Sequence, residues 1–155
     1  MLARAPESAG RMRLVILACS ATKRHDAGLL PALSRYDGPA YRTLRKAQAA
    51  IAPAHRPDVL ILSGKYGLIT PTTPIPDYDQ QLTTAQALSL RDKVQAALAD
   101  HLLTRRYDET FISMGAVYQT ALPVDSLGVR LGQLCSASGS IGVRLGQLKR
   151  WLYDA

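Results

Sequence analysis

Four short stretches of this 155-residue chain carry side chains that can do chemistry. The first is Cys19-Ser20-Ala21-Thr22-Lys23-Arg24-His25. A turn of this kind holds an anion on its N–H groups while a lysine ammonium polarises a substrate. Lys23 is also a candidate nucleophile, where burial and neighbouring cations favour the free amine. Cys19 is a second candidate nucleophile as a thiolate, or else a small buried residue that ends a strand. The second stretch is Ser63-Gly64-Lys65-Tyr66-Gly67-Leu68. Here Ser63 and Lys65 suit a phosphate or a base edge, Gly67 permits close backbone approach, and Tyr66 offers a ring for stacking. The same residues also describe a tight turn with an exposed lysine. The third is Tyr78-Asp79, where Asp79 is a general base, a ligand for a ribose hydroxyl, or a turn former. The fourth is Gly115-Ala116-Val117-Tyr118, with Tyr118 as a second stacking wall. Neither a phosphate-binding G-x-x-x-x-G-K-[ST] loop nor a G-x-G-x-x-G fingerprint occurs. His25, His55 and His101 stand at no metal-ligand spacing and read as surface or loop residues, so neither a metal nor a cofactor is expected.

Three of the four stretches follow a strand-like run. Arg13–Ala18 (RLVILA) and Asp58–Ser63 (DVLILS) are nearly continuous apolar runs, as in strands buried on both faces, and residues 109–114 form a weaker third. Helical patterns lie between them. Residues 38–51 open with Gly38-Pro39 and place Tyr41, Leu44, Gln48 and Ile51 on one face. Residues 83–103 open with Thr83-Thr84-Ala85-Gln86, a capping-box pattern, and continue with Leu90, Val94, Leu98 and Leu102 at i+4 spacing. A third helix is expected from about Gly115, carrying Val117 and Leu122. Alternation of strand and helix predicts a single α/β domain over residues 13–155 with a mainly parallel sheet and flanking helices. Ligands of such sheets bind beyond the carboxyl ends of the strands, which puts the candidate residues at one edge. Residues 71–76 are too proline-broken for regular structure.

The tail holds a duplication. Ser126-Leu-Gly-Val-Arg-Leu-Gly-Gln-Leu134 returns as Ser140-Ile-Gly-Val-Arg-Leu-Gly-Gln-Leu148, and the repeated region spans residues 126–148 with a 14-residue offset. Each copy reads as a loop entering a helix, the second running into a terminal helix at 148–153. The first reads as a redundant insertion or an extra turn of structure.

Composition is that of an ordinary globular domain, with 47% hydrophobic and 20% charged residues, and no run long enough to cross a membrane. Two cysteines far apart make no disulfide framework, and a cytoplasmic setting is expected. Residues 1–12 lack an apolar signal core and read as a disordered leader. The formal charge of +7 sits wholly in residues 1–56, which hold ten Lys/Arg against three Asp/Glu, whereas residues 57–155 hold nine of each. Such asymmetry suits a polyanion or a phosphorylated ligand. Arg24, Arg42, Arg45 and Lys46 are the candidate nucleic-acid contacts.

Taken together, the Cys19-Ser20-x-x-Lys23 motif, the Tyr-Asp-Gly-Pro stretch at 36–39, the Leu62-Ser63-Gly64-Lys65-Tyr66-Gly67-Leu68 motif, Tyr78-Asp79 and Gly115-x-x-Tyr118 resemble a small bacterial and phage domain family of unknown function. That family is distantly similar to the peroxide-stress YaaA proteins and to the catalytic core of archaeosine synthase. The second likeness implies that Lys23 adds to a deazaguanine-type base, with Cys19 and Ser20 in the same motif. Ala18 stands where that motif has proline. The leading expectation is therefore an enzyme acting on a nucleobase or nucleotide, free or within nucleic acid. Lys23 and Asp79 are its catalytic candidates with Cys19, and Ser20, Ser63, Lys65, Tyr66, Gly67, Tyr78, Gly115 and Tyr118 bind its substrate. The alternatives are a non-catalytic DNA- or RNA-binding stress-response protein using the basic first third, and a phosphate-sensing partner domain. The pattern specifies no oligomeric state.

Overall fold

The computed structural model describes residues 11–124 and 128–154. Its centre is strand β1 (Arg13–Ala18), which is apolar at every position from Leu14 to Ala18 because it is covered on both faces. Leu14 and Ile16 enter one core cluster, and Val15 and Leu17 enter the other. This alternation follows from the two-residue period of a strand. The two-residue strand β2 (Leu30–Pro31) leads into a single turn, α1 (Ala32–Arg35), and then α2 (Pro39–Ala50). Strand β3 (Asp58–Ser63) lies parallel to β1, with Val15 opposite Val59. Short β4 (Gly67–Ile69) folds back antiparallel on β3, and β5 (Pro74–Ile75) pairs with β2 as a separate two-stranded ribbon. Helix α3 (Thr84–Leu102) precedes β6 (Glu109–Ser113), which runs parallel to β1 on its other side. The remainder is α4 (Ala116–Thr120), α5 (Gly128–Leu131), β7 (Gln133–Ser136) parallel to β6, and α6 (Ile141–Tyr153). The five-stranded order is β4-β3-β1-β6-β7, mostly parallel with one antiparallel pair, as expected of an α/β domain.

The helices form where the chain caps them. Thr83 Oγ1 accepts the Gln86 N–H at 3.2 Å and Gln86 Oε1 accepts the Thr83 N–H at 3.0 Å, so the capping box closes and starts α3. Ala87, Val94, Leu98 and Leu102 are its buried stripe. Helix α2 buries Tyr41, Leu44 and Ala47, so alanine rather than Gln48 occupies the middle of its inward face. Helices α3 and α4 cover one side of the sheet, and α2 and α6 cover the other.

Several expectations are corrected. Pro74 and Ile75 are not structureless, because they pair with Pro31 and Leu30, more than 40 residues earlier, and no local pattern announces it. Leu122 lies beyond α4 yet is buried, as a member of the core cluster against which Val117 and Tyr118 pack. The two copies of the duplication take different structures. Within its described residues the first copy forms α5 and the edge strand β7, whereas the second copy is continuous helix from Ile141. Of the expected leader, residues 1–10 lie outside the described residues. Met12 is bound, donating its N–H to Asp108 Oδ2 at 2.8 Å and accepting the Asp108 N–H at 2.8 Å. Arg11 bridges Glu109 at 3.1 Å.

Candidate functional site

The first parallel strand has β3 on one side and β6 on the other, so the chain reverses its direction of sheet growth between β1 and β6. Ligands of open parallel sheets bind at such a switch point. A crevice of about 460 Å³ opens there, lined by Cys19, Ser20, Lys23, Asp79, Gly115 and Tyr118 with Leu82 and Val117 as apolar walls. A second cavity of about 390 Å³, lined also by His25, Asp77 and Tyr78, shares Ala21, Lys23 and Asp79 with it. Both lie within the usual size range of small-molecule sites.

Lys23 stands where the two meet. Its residue is only 8% exposed, and an antiparallel bridge to Tyr36 holds its backbone. Among the described residues no carboxylate oxygen lies within 4 Å of its ammonium. Its Nζ instead sits 4.6 Å from the Tyr78 ring centroid and 5.8 Å from that of Tyr36. Aromatic faces stabilise a cation without neutralising it. Lys65 Nζ lies 5.3 Å from the centroid of the same Tyr78 ring.

The tyrosines are tied by hydroxyl bonds. Ser63 Oγ accepts the N–H groups of Lys65 at 3.1 Å and Tyr66 at 3.0 Å. Those bonds occupy both lone pairs, so its own hydrogen is donated to Tyr78 Oη at 3.1 Å. Tyr78 and Tyr36 share a 2.5 Å hydroxyl contact. Tyr41 donates to the Ala18 carbonyl at 2.6 Å, and the Cys19 thiol meets Tyr118 Oη at 3.2 Å. Burial pushes the phenols of Tyr36, Tyr78 and Tyr118 above their ordinary value, and the Cys19 contact raises Tyr118 further. At neutral pH these rings are therefore donors, not bases.

The expected site residues divide. Cys19, Ser20, Lys23, Asp79, Gly115 and Tyr118 converge on the crevice, and Tyr78 joins them through the second cavity. Ser63 is wholly buried, positions Tyr78 and the following turn, and lines neither cavity. Gly67, at φ 77°, is the turn residue that lets β4 fold back on β3. Tyr66 packs edge-on against Tyr78 at 5.4 Å between centroids and lines neither cavity. Lys65 lines neither cavity, its Nζ lying 5.3 Å from the Tyr78 ring centroid and 5.4 Å from that of Tyr66. The arginines are largely committed elsewhere. Arg24 pairs with Asp26 at 2.7 Å, and Arg42 and Arg45 both pair with Asp37. Lys46 makes no ion pair among the described residues.

Two further features lie outside the sequence expectations. His25 Nδ1 meets Asp77 Oδ2 at 2.7 Å across the mouth of the second cavity, and this partner holds the Asp77 carboxyl below its usual range. Arg35, fully buried, donates to the carbonyls of Arg24, Asp26, Gly28 and Ile75 and so fixes the loop that follows Lys23. A Tyr-rich, proline-flanked segment gives no local sign of either.

Among the described residues no cluster of His, Cys, Asp or Glu is arranged to hold a metal. No helix among them is long and apolar enough to cross a membrane. A family model described as a family of unknown function (DUF6884) matches residues 14–152. No curated protein and no solved structure matches the chain.

Proposed function

Starting from the chain's membership of that family of unknown function, which covers residues 14–152, we propose that the chain is an enzyme acting on a nucleobase or nucleotide in the β1–β6 crevice. The observation that carries this reading is Lys23, a buried ammonium without a carboxylate partner, aimed between two cavities at the switch point. The Tyr78 and Tyr36 rings stabilise this cation without neutralising it, so its charge remains available to a ligand. Lys23 either stabilises negative charge that develops on the ring system or adds to it as an amine. Asp79, exposed at the rim, takes a proton or holds a sugar hydroxyl. Tyr118, Val117 and Leu82 form a wall for a flat ring, and Ser20 supplies a hydroxyl. Cys19 lies against Tyr118 and shapes the floor. We read Cys19-Ser20-x-x-Lys23 as resembling the motif of the archaeosine synthase core, distantly similar also to YaaA proteins, and on that reading the site is a lysine-centred base site. The nitrile chemistry of the former is not carried over, because Ala18 replaces the motif's proline. We place the protein in the cytoplasm, where its two free cysteines, Cys19 and Cys135, stay reduced.

The test is a thermal-shift panel of nucleobases, nucleosides, nucleotides and deazaguanines on wild type, Lys23→Ala and Lys23→Arg. A ligand specific for the native state raises the melting temperature by mass action. A shift from one ligand class that is lost in Lys23→Ala supports the reading. Recovery of the shift in Lys23→Arg assigns an electrostatic role to the cation in binding. A shift that survives in Lys23→Ala, or none from any monomer, overturns it.

A further inference from the structure

The two sides of the sheet differ in charge. Helix α2 (PAYRTLRKAQAA) carries Arg42, Arg45 and Lys46, and α6 (IGVRLGQLKRWLY) carries Arg144, Lys149 and Arg150, with no Asp or Glu on either. These helices pack against each other on one side. Helix α3 on the opposite side balances Arg91 and Lys93 with Asp92 and Asp100. Summing the chain beyond residue 56 to zero therefore averages a basic helix with acidic segments that the fold places elsewhere.

Arg42, Thr43 and Lys46 of α2 and Lys149 and Tyr153 of α6 line a groove of about 200 Å³, with no carboxylate in its wall. Arg45 drops out, because it is turned inward to the Leu33 and Tyr36 carbonyls at 2.8 and 2.9 Å. Arg42 is tied to Asp37 at 3.1 Å but its side chain is still 66% exposed. Lys46 and Lys149 are exposed and make no ion pair among the described residues. Thr43 and Tyr153 add hydroxyl donors. Cations and hydroxyls in a depression between two helices match a protruding phosphodiester chain, whose contacts come from this set of side chains.

We infer that the α2–α6 groove binds the phosphate backbone of a nucleic acid, without reading its bases, through Lys46, Lys149 and Arg42. A flat anionic lipid surface fits less well, since the exposed apolar residues of α6, Ile141 and Val143, lie at its opposite end from Lys149 and Tyr153. The inference does not rest on the crevice.

The experiment is fluorescence anisotropy of the full chain with labelled single- and double-stranded DNA and RNA of random sequence. Each phosphate contact contributes about −0.9 to the slope of log affinity against log salt on duplex DNA. Two or three contacts thus weaken binding by about 10- to 40-fold between about 50 and 200 mM salt. Lys46→Glu/Lys149→Glu is expected to cut affinity at least about tenfold and flatten the slope by about two. Lys93→Glu, on the opposite side, leaves both unchanged. The milder Lys46→Gln/Lys149→Gln shows the same loss in smaller degree, and circular dichroism checks that both variants fold. Any monomer shift in the crevice is retained in these variants, which separates this inference from the function proposed above. No binding at low salt, binding unaffected by the double variants, or binding to phosphatidylserine vesicles but not to nucleic acid would overturn it.

Discussion

Gly132 and Gly146 occupy the same place in two identical heptapeptides, Gly-Val-Arg-Leu-Gly-Gln-Leu, and they do opposite work. Gly132 has φ 68°, and a Cβ there would stand 2.2 Å from the Asp108 carbonyl oxygen. It turns the chain from α5 into β7. Gly146 lies inside α6, where a Cβ would meet open space beyond the helix's own backbone. The neighbours diverge in step: Leu134 is 38% exposed, whereas Leu148 is fully buried. Gly132→Ala should destabilise the fold by about 2 kcal/mol or more, since the left-handed backbone and the carbonyl both oppose a side chain. Gly146→Ala should stabilise it by about 0.5–1 kcal/mol, the helix propensity difference. Urea melts of the two variants check this. Shifts of the same sign would mean that the copies share one conformation.

At the scale of elements, the β2–β5 ribbon and the turn after β1 depend on one buried guanidinium. Arg35 Nη1 donates to the Arg24 and Asp26 carbonyls at 2.7 and 2.9 Å, and Nη2 donates to Gly28 and Ile75 at 2.6 and 3.3 Å. It joins α1, the 24–28 loop and β5, three pieces too short to hold themselves. Arg35→Met fills much of the volume but removes four charge-assisted hydrogen bonds, three to part-buried loop carbonyls and one to the buried Ile75 carbonyl, and bonds from a charged donor are worth about 1.5–3 kcal/mol each where water does not replace them. A loss of about 3 kcal/mol or more in urea denaturation is expected, with loss of crevice binding because the adjoining Lys23 turn loosens. A loss below about 1 kcal/mol would show that the ribbon holds without it. The sequence marks Arg35 only as one more cation in a basic third. Its role depends on carbonyls up to 40 residues away.

For the whole molecule, the titratable groups set a stability window. His101 donates its Nε2–H to Tyr107 Oη at 2.8 Å, because Tyr107 spends its own hydrogen on Asp58 Oδ2 at 2.7 Å. Burial, aided by Arg105, lowers the His101 pKa from its ordinary 6.5. The unfolded chain then takes up a proton first, and stability falls as pH drops through about 6.5. The Asp37 and Asp77 carboxyls are held below 3.8 by Arg42 and His25 respectively, so their contribution is present above that value and lost as pH falls through the folded one. Burial raises Tyr36, Tyr41, Tyr78, Tyr107 and Tyr118 above 10.0, so their contribution is complete below that pH and lost above it. Urea midpoints should form a plateau between about pH 7 and 9.5 and decline on both sides, with His101→Gln flattening the first acid step. A midpoint that rises from pH 7 to pH 5 would contradict these environments.

The chain's local patterns determine its centre. Apolar runs at 13–18 and 58–63 can only be strands covered on both faces, and the Thr83–Gln86 box starts a helix through bonds within four residues. Parallel strands then place whatever follows them at one edge, which is why Cys19, Lys23, Gly115 and Tyr118 were legible as neighbours. Tertiary structure alone decided which polar residues face a ligand. Ser63 turned inward because Tyr78 waits 15 residues away, and Arg13 reached the Trp151 carbonyl across 138. It alone gave one heptapeptide two conformations and joined two distant basic helices into one face. Burial patterns and caps are settled within about one turn of chain, whereas a polar side chain's role is settled by partners whose position only the completed fold supplies.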